Sequence, residues 1–278
     1  MRSVRMGWCV VADARGLPSY DACLPTSGAH DARCSLSNNA RPSGRMAKGP
    51  RMSLLLVRHG QASHGAADYD VLSERGWEQS RRLGEWLARG GHQFRYVVVG
   101  GMRRHRETAV AVGEAFAARG EPLPEMVEDP GFAEFDHRAV FDTWLARNAD
   151  DPIAIASRSG EPHAVGAMLR AALLAWAHDE LPDLPERWGE FGERVHAASE
   201  RLQALAGSDE ALVLSSGGVI SRLAQIALDV PKARAIELNL SLRNSALSEF
   251  HPHAGRLRIG SWNALPHLHG ERALWTYY

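Results

Sequence analysis

Lysine is nearly absent from this chain of 278 residues: Lys48 and Lys232 are the only two, and arginine carries almost all the positive charge. The formal net charge is −1. A balance so close to zero argues against a protein that binds nucleic acid or a membrane surface, since both partners select for strong positive charge. Arginine suits bidentate recognition of phosphate, but a GC-rich genome explains its abundance equally well.

Cysteine is also scarce, and Cys9, Cys23 and Cys34 all lie within the first fifty residues. The rest of the chain therefore offers no disulfide framework, no thiol nucleophile and no thiolate metal site. No apolar run approaches the length of a membrane span, and Asp13 interrupts the short apolar run near the N-terminus too early for a signal peptide. We expect a cytoplasmic protein.

Motifs for the common cofactors are missing as well. The sequence has no glycine-rich P-loop, no dinucleotide-binding fingerprint and no zinc-type spacing of ligands. Two histidine pairs near the C-terminus, His251 with His253 and His267 with His269, could bind a metal adventitiously, but in so polar a segment we expect them on the surface. The sequence therefore predicts neither a metal nor a cofactor.

Residues 1–51 differ from the rest of the chain in being rich in Ser, Arg, Gly and Pro without sustained periodicity. Such a composition is typical of disorder. Because Met52 directly precedes the first strand-like run, we predict that residues 1–51 are a disordered or non-native leader. Residues 52–278 would then form the functional domain.

From Leu54 onward, strand-like and helix-like segments alternate, with Ser73 a good N-cap for the first helix. Apolar or β-branched runs predict strands at 54–57, 96–99, 211–214, 247–250 and 257–259. Further helices are predicted at 102–119, 138–147, 162–179, 187–206 and 219–228. The helix at 187–206 has apolar residues at core spacing, namely Trp188, Phe191, Val195, Leu202 and Leu205. The alternation predicts an α/β three-layer sandwich, a mostly parallel sheet with helices on both faces.

Three of the predicted strands end in residues suited to an anion. They are followed by Arg-His-Gly at 58–60, Gly-Gly at 100–101 and Ser-Ser-Gly-Gly at 215–218. In sheets of this kind ligands bind beyond the carboxyl ends of the strands. A guanidinium fork, an imidazole and a glycine are the parts needed to bind a phosphate and attack it with nitrogen.

The sequence resembles the histidine phosphatase superfamily, the phosphoglycerate-mutase-like proteins, over roughly residues 53–260. The segments that carry the resemblance, in the order of the family's motifs, are LLLVRHGQAS at 54–63, DYDVLSERGWEQSRRLGEWL at 68–87, VVVGGMRRHRETA at 97–109, GFAEFDHR at 131–138 and ALVLSSGGVISRL at 211–223. The resemblance implies the phosphoglycerate-mutase-like fold.

The resemblance also implies roles for the matching residues. His59 would be the nucleophile, an imidazole that is not fully protonated near neutral pH. Arg58 and Arg104 would hold the phosphoryl oxygens and neutralise charge in the transition state. Gly60 would let the phosphate approach the backbone closely.

Two assignments leave neighbours open. Arg104 follows from the register of the family motif, and a slip would select Arg103 or Arg106 instead. Glu134 is the expected proton donor to the leaving alkoxide, with a pKa raised by burial or by a nearby anion. Asp136, two residues further on, is the alternative acid.

The third motif departs from the family pattern. The family normally carries a second histidine before its Gly-Gly pair, where this chain has Ser216 before Gly217. We expect both residues to contact the substrate, but a hydroxyl supplies a hydrogen bond without positive charge. His137 and His64 are candidates to compensate for the missing imidazole.

The sequence therefore predicts a metal-independent phosphohydrolase that cleaves phosphomonoesters through a phosphohistidine on His59. Its substrate would be a phosphorylated small molecule or a phosphoprotein. A catalytically weak or silent phospho-ligand-binding or regulatory protein is the alternative that Ser216 suggests. A phosphomutase is the third possibility, although the longer insertion NERHYG, which marks cofactor-dependent phosphoglycerate mutases, is absent. The sequence does not fix the oligomeric state.

Overall fold

The computed structural model describes residues 9–12, 18–21, 52–63 and 70–277. Near the N-terminus, β1 (Cys9–Ala12) pairs antiparallel with β2 (Pro18–Asp21) in a compact unit of residues 1–47. The rest of the predicted leader lies outside the described residues, so the leader remains a prediction. Residues 48–278 form the other compact unit.

The larger unit contains a six-stranded mixed sheet. Its strands are β3 (Ser53–Arg58), β4 (Phe94–Val99), β5 (Met126–Glu128), β6 (Glu210–Ser215), β7 (Leu247–His253) and β8 (Arg256–Ala264). Their order in the sheet is β5-β4-β6-β3-β7-β8. The first four run parallel, and β7 and β8 add an antiparallel edge. The predicted mostly parallel α/β sheet is confirmed.

Helices connect the parallel strands. In the described part of the chain they are α1 (Glu74–Gly90), α2 (Arg103–Ala117), α3 (His137–Arg147), α4 (Pro152–Ser157), α5 (Pro162–Ala177), α6 (Trp188–Ala206), α7 (Gly217–Leu228) and α8 (Lys232–Ser241). Short 3₁₀ turns occur at Pro130–Phe132, Pro266–Leu268 and Arg272–Leu274. Within the described ranges, no helix combines the length and the apolarity that crossing a membrane requires.

The core has two layers because side chains alternate along each strand. Leu55 and Val57 of β3 pack with Leu83 of α1 on one face of the sheet. Leu54 and Leu56 face the opposite cluster, which includes apolar residues of α3, α5, α6 and α7. Both faces of the central strands are therefore buried, as expected for a parallel sheet covered by helices.

Local signals explain most of the helix boundaries. Ser73 caps α1 as predicted, because its hydroxyl accepts a hydrogen bond from the backbone N–H of Gly76 at 3.1 Å. The prediction for Leu205 was wrong, since its side chain is 67% exposed. Ala206, one residue later, occupies the buried face of the last turn of α6 instead.

Candidate active site

The carboxyl ends of β3, β4 and β6 meet at one edge of the sheet. Arg58 lies beside Ser215 in the parallel register of β3 and β6, and the backbone N–H of His59 donates to the carbonyl of Ser215 at 2.9 Å. The N–H of Gly100 donates to the carbonyl of Leu214 at 3.1 Å. The three strand ends are therefore joined directly by backbone hydrogen bonds.

His59 is buried at this edge, with 5% of its surface exposed. Its Nδ1 lies 2.7 Å from the carbonyl oxygen of Gly60. Because a carbonyl oxygen can only accept, Nδ1 must carry the hydrogen, which leaves a lone pair on Nε2. Burial, with Arg104 and Arg58 nearby, holds the pKa of His59 well below its usual value. The imidazole is thus neutral near pH 7 and has a nucleophilic nitrogen.

The backbone carbonyl of His59 accepts hydrogen bonds from residues in the C-terminal part of the chain. Its carbonyl accepts from the N–H of Ser245 at 3.1 Å and from the side-chain amide of Asn244 at 3.3 Å. Asn244 in turn donates its N–H to the carbonyl of Thr276 at 2.9 Å and accepts from that residue's hydroxyl at 2.9 Å. Gln79 of α1 also donates to the Thr276 hydroxyl. These contacts connect Thr276 to the backbone of His59.

Gly60 has a packing role in addition to any contact with substrate. Its N–H donates to the hydroxyl of Thr108 at 3.1 Å. A Cβ at this position would lie 2.4 Å from the carbonyl oxygen of Gly76 in α1. The glycine is therefore needed for the close approach of the loop to α1, a reason that sequence reasoning missed.

Arg104 is the buried arginine of the second motif, with 3% of its surface exposed. Its Nη1 donates to Oδ1 of Asp70 at 2.8 Å. Arg103 and Arg106 are the neighbours that a slip of register would select. Their side chains are 55% and 44% exposed, and they pair with Glu107 and Glu128. Asp70, which the sequence did not single out, is thus the anion that holds Arg104 in the free protein.

Arg58 is the second cation of the site. It is half-buried at the end of β3, and its Nη1 donates to the carbonyl oxygen of Leu242. Arg58 and Arg104 both lower the pKa of His59 and oppose the rise in the pKa of Glu134. The two arginines therefore place positive charge near both His59 and Glu134, which favours a bound anion.

Glu134 is a partly buried acid on the loop before α3. Its Oε2 accepts from the N–H of Gly218 at 3.0 Å, and its Oε1 accepts from the N–H of Phe135 at 3.2 Å. Burial raises the pKa of Glu134, against the opposing effect of the Gly218 N–H and of Arg104. Asp136, the alternative acid, is exposed and caps α3 by accepting from the N–H of Ala139 at 3.0 Å. The geometry favours Glu134.

The loop that carries Glu134 is fixed by side chains from two elements. Arg194 of α6 donates from Nη1 to the carbonyl oxygens of Pro130, Gly131 and Ala133 at 2.9, 3.1 and 3.0 Å. Its other nitrogens pair with Glu186. The hydroxyl of Ser215 donates to the carbonyl of Phe132 at 2.7 Å. The acid is therefore held on a loop whose carbonyls are largely paired.

Ser216 caps α7 in an extended conformation, and its side chain bonds a histidine rather than the helix. Its Oγ lies 2.7 Å from Nε2 of His105, which is fully buried, and the rings of His105 and His59 are 5.7 Å apart. Burial and the neighbouring Arg104 hold the pKa of His105 well below its usual value. Sequence reasoning missed His105, which lies within the run RRHRE and carries no motif signal.

The other candidates for the missing imidazole are His64 and His137. His64 falls outside the described residues. His137 begins α3, with a pKa lowered by burial and by Arg104.

Gly217 follows Ser216, and a Cβ there would lie 2.4 Å from Oδ1 of Asn239. The described residues contain no cluster of ligands that could hold a metal ion.

The expectation that His267 lies on the surface was wrong. Its ring is buried, and Nε2 lies 2.9 Å from the hydroxyl of Ser245. Burial lowers its pKa to about 3. The polar composition of the segment hid this, because Leu265 and Leu268 pack a small separate core around it.

Comparison with known families now identifies the class. The profile of the histidine phosphatase superfamily (branch 1) matches residues 54–265, which is most of the chain. The protein therefore belongs to the histidine phosphatase superfamily, as the resemblance predicted. No curated protein matches the chain.

Solved structures of the same fold include phosphatases and a mutase. Mycobacterial glucosyl-3-phosphoglycerate phosphatase with inorganic phosphate is 25% identical, with a TM-score of 0.55 over 78% of this chain and 99% of that chain. Phosphoglycerate mutase from Bacillus anthracis is 19% identical, with a TM-score of 0.55 over 78% and 95%. A phosphoserine phosphatase mutant from Entamoeba histolytica with phosphoserine is 18% identical, with a TM-score of 0.54 over 78% and 99%. Family and fold support phosphatase or mutase activity in general.

Proposed function

We propose that this protein is a phosphohydrolase that cleaves phosphomonoesters through a phosphohistidine on His59. The observation that carries the proposal is the tautomer of His59. Its Nδ1–H is held by the carbonyl of Gly60 at 2.7 Å, so the lone pair of Nε2 is available. Among the described residues no hydrogen bond engages Nε2, and a neutral imidazole in this state can attack phosphorus.

The reaction proceeds in two displacements. Nε2 of His59 forms a bond to phosphorus while the bond from phosphorus to the ester oxygen breaks, and Glu134 donates its proton to the leaving oxygen. A water molecule then attacks the phosphohistidine and transfers a proton to the Glu134 carboxylate. The bond from nitrogen to phosphorus breaks, which releases inorganic phosphate and restores both residues.

Positive charge from the protein replaces the role that a metal has in other phosphatases. Arg58 and Arg104 neutralise the phosphoryl oxygens as charge develops on them. Arg104 donates to Asp70 in the free protein, so a phosphoryl group must share or displace that carboxylate. We expect turnover to survive an excess of chelator for this reason.

The substrate we propose is a phosphorylated small molecule or a phosphoprotein in the cytoplasm. Only the sequence favours hydrolysis over isomerisation, so the two reactions have to be distinguished by their products. A panel of phosphorylated metabolites and phosphopeptides, scored for released phosphate and for isomerised product, separates a phosphatase from a mutase. Cell fractionation tests the location.

The adduct is the decisive test. Turnover quenched in base and analysed by mass spectrometry should place phosphate on His59 of the wild-type protein, because phosphoramidates are stable in base and labile in acid. His59→Ala should lose both the adduct and turnover of an aryl phosphate. Binding of inorganic phosphate without turnover would instead favour a silent phospho-ligand-binding protein.

A further inference from the structure

We propose that His105 is a positioning residue for the phosphoryl group. It holds the hydroxyl of Ser216 so that the hydroxyl donates to a phosphoryl oxygen, and it takes up a proton when the phosphate dianion binds. This inference rests on the proposed function and deepens it. His105 would thus supply an imidazole to a site in which the N-cap of α7 is Ser216 and not a histidine.

Three observations place the two residues beside the reacting group. The Nε2 of His105 and the Oγ of Ser216 are 2.7 Å apart, the distance of a strong hydrogen bond. The ring of His105 is 5.7 Å from the ring of His59. Ser216 stands at the N-terminus of α7, whose first turn binds Glu134 through the N–H of Gly218. A phosphoryl group on His59 would lie within hydrogen-bonding reach of this pair.

A purely structural role does not account for His105. Its side chain has 0% exposure, and its Nδ1 lies against the backbone of Gly100, which favours the protonated ring although the contact is not a hydrogen bond of normal geometry among the described residues. A buried polar nitrogen left unpaired costs about 1–3 kcal/mol. A core position would be served better by an apolar residue of similar size. An unpaired buried nitrogen one residue from Arg104 is instead explained by a proton that arrives with the ligand.

The tautomer decides what Ser216 can do. In the neutral ring either nitrogen can carry the hydrogen, so Nε2 either donates to the Ser216 oxygen or accepts from its hydroxyl. When His105 is protonated, Nε2 must donate to the Ser216 oxygen, and the Nδ1–H faces the Gly100 backbone. The hydroxyl hydrogen then points away from His105 and is available to a phosphoryl oxygen. Protonation therefore fixes Ser216 as a donor to phosphate.

The surrounding charges explain why the proton waits for the ligand. Arg104 and Arg106 on the same helix oppose a charge on His105. The carboxylates of Asp70 and Glu128 are already paired with these two arginines, and Glu134 accepts from the N–H of Gly218. A phosphate dianion adds negative charge beside His105, and an opposite charge nearby favours the protonated imidazole. Binding of phosphate should therefore be coupled to proton uptake by His105.

The test measures the affinity of the full chain for inorganic phosphate, as product inhibition and by calorimetry, at pH 6 and pH 8. His105→Ala should weaken phosphate binding on the order of ten-fold at pH 6 and less at pH 8, because a charge-assisted hydrogen bond is lost. His105→Gln retains a donor near the position of Nε2 but cannot become charged. It should resemble the wild type at pH 8 and His105→Ala at pH 6.

A double-mutant cycle tests the relay through Ser216. Since His105 acts on phosphate through that hydroxyl, adding Ser216→Ala to His105→Ala should cause little further loss. His267→Gln is the matched control, because it removes a buried imidazole from another His–Ser pair, with Ser245. It should lower the thermal midpoint without changing the pH dependence of phosphate binding.

Several outcomes would overturn the inference. They are unchanged phosphate affinity in folded His105→Gln, additive losses in the cycle, or a phosphoserine adduct on Ser216, which would make His105 its base. If the wild-type protein turns over substrate normally, these results refute the role of His105 alone. If the wild type neither turns over substrate nor binds phosphate, the proposed function itself fails.

Discussion

Glu134 Oε2 accepts a hydrogen bond of 3.0 Å from the N–H of Gly218 in the first turn of α7. A Cβ on Gly218 would lie 2.1 Å from Glu134 Oε1, so the carboxyl group fits because the helix begins with residues that lack side chains. The helix terminus favours the ionised carboxylate, whereas burial favours the protonated acid and raises its pKa. These opposing effects suit a group that must donate a proton and then recover it.

Glu134→Gln should slow the hydrolysis of alkyl phosphates by about 10²–10⁴-fold, the usual value of general acid catalysis. Nitrophenyl phosphate should be affected far less, because nitrophenolate leaves without a proton. Steady-state kcat/KM on the two substrates measures the difference. Equal losses on both would mean that Glu134 positions the site instead.

The matched control for the acid is Asp136→Asn. Asp136 caps α3 on the surface, and asparagine caps helices equally well. We expect near-normal activity and stability. A crippled Asp136→Asn variant beside a normal Glu134→Gln variant would make Asp136 the acid.

Ser216→His on its own should destabilise the protein, because Ser216 is 1% exposed and already contacts His105. Overpacking of this kind costs about 1–3 kcal/mol. Combining it with His105→Ala should relieve the overlap and restore part of the turnover that His105→Ala loses. Thermal melts and kcat/KM of the three variants check this. A stable, fully active Ser216→His variant would show that the site has spare room.

Gly60→Ala should lower the free energy of unfolding by about 1–3 kcal/mol, since the new Cβ would overlap the backbone of α1. Gly189 in α6 is the control, because no atom lies within 4 Å of a Cβ built there. Gly189→Ala should stabilise by about 0.5 kcal/mol through the unfolded chain. Urea denaturation compares the two. Equal effects would mean that the loop at Gly60 adjusts freely.

The stability should fall in mild acid because buried histidines must remain neutral in the folded state. His267 has a folded pKa of about 3, below its value of about 6.5 in the unfolded chain. The unfolded chain therefore binds the proton first, and stability is complete above pH 6.5 and is lost as the pH falls towards 3. His59 and His105 shift in the same direction.

His267→Gln isolates one of these contributions. From pH 7 to pH 5 the wild type should lose about 2 kcal/mol more unfolding free energy than the variant, as expected for one imidazole. Urea denaturation at the two pH values measures this difference. The same pH dependence in both proteins would contradict the burial of a neutral His267.

The central part of the fold could be predicted from the sequence, because β3, β4 and β6 are apolar runs that end in glycine or polar residues. The edge could not. β5 is three residues long, and Met126, Val127 and Glu128 are all exposed, so no burial pattern separates it from a loop. α8 was missed for a similar reason, since only Ala235 and Ile236 of its residues are buried.

The candidate site also contains residues that the sequence could assign and residues that it could not. Residues within a motif at a strand end, such as His59 and Arg104, could be assigned from the sequence because their neighbours fix the register. His105 and Asp70 could not, because they reach the site through the rotation of α2 and through the packing of a loop. Both are positions where tertiary structure alone determines the contacts.

The hydrogen bonds that join Thr276, Asn244 and the carbonyl of His59 bear on where this chain can be truncated. The family match ends at residue 265, yet the contact behind the nucleophile comes from eleven residues further along. An expression fragment trimmed at the recognisable boundary would keep every candidate site residue but lose the contacts of Thr276 with Asn244 behind His59. A fragment that preserves this arrangement is therefore longer than the segment by which the family is recognised.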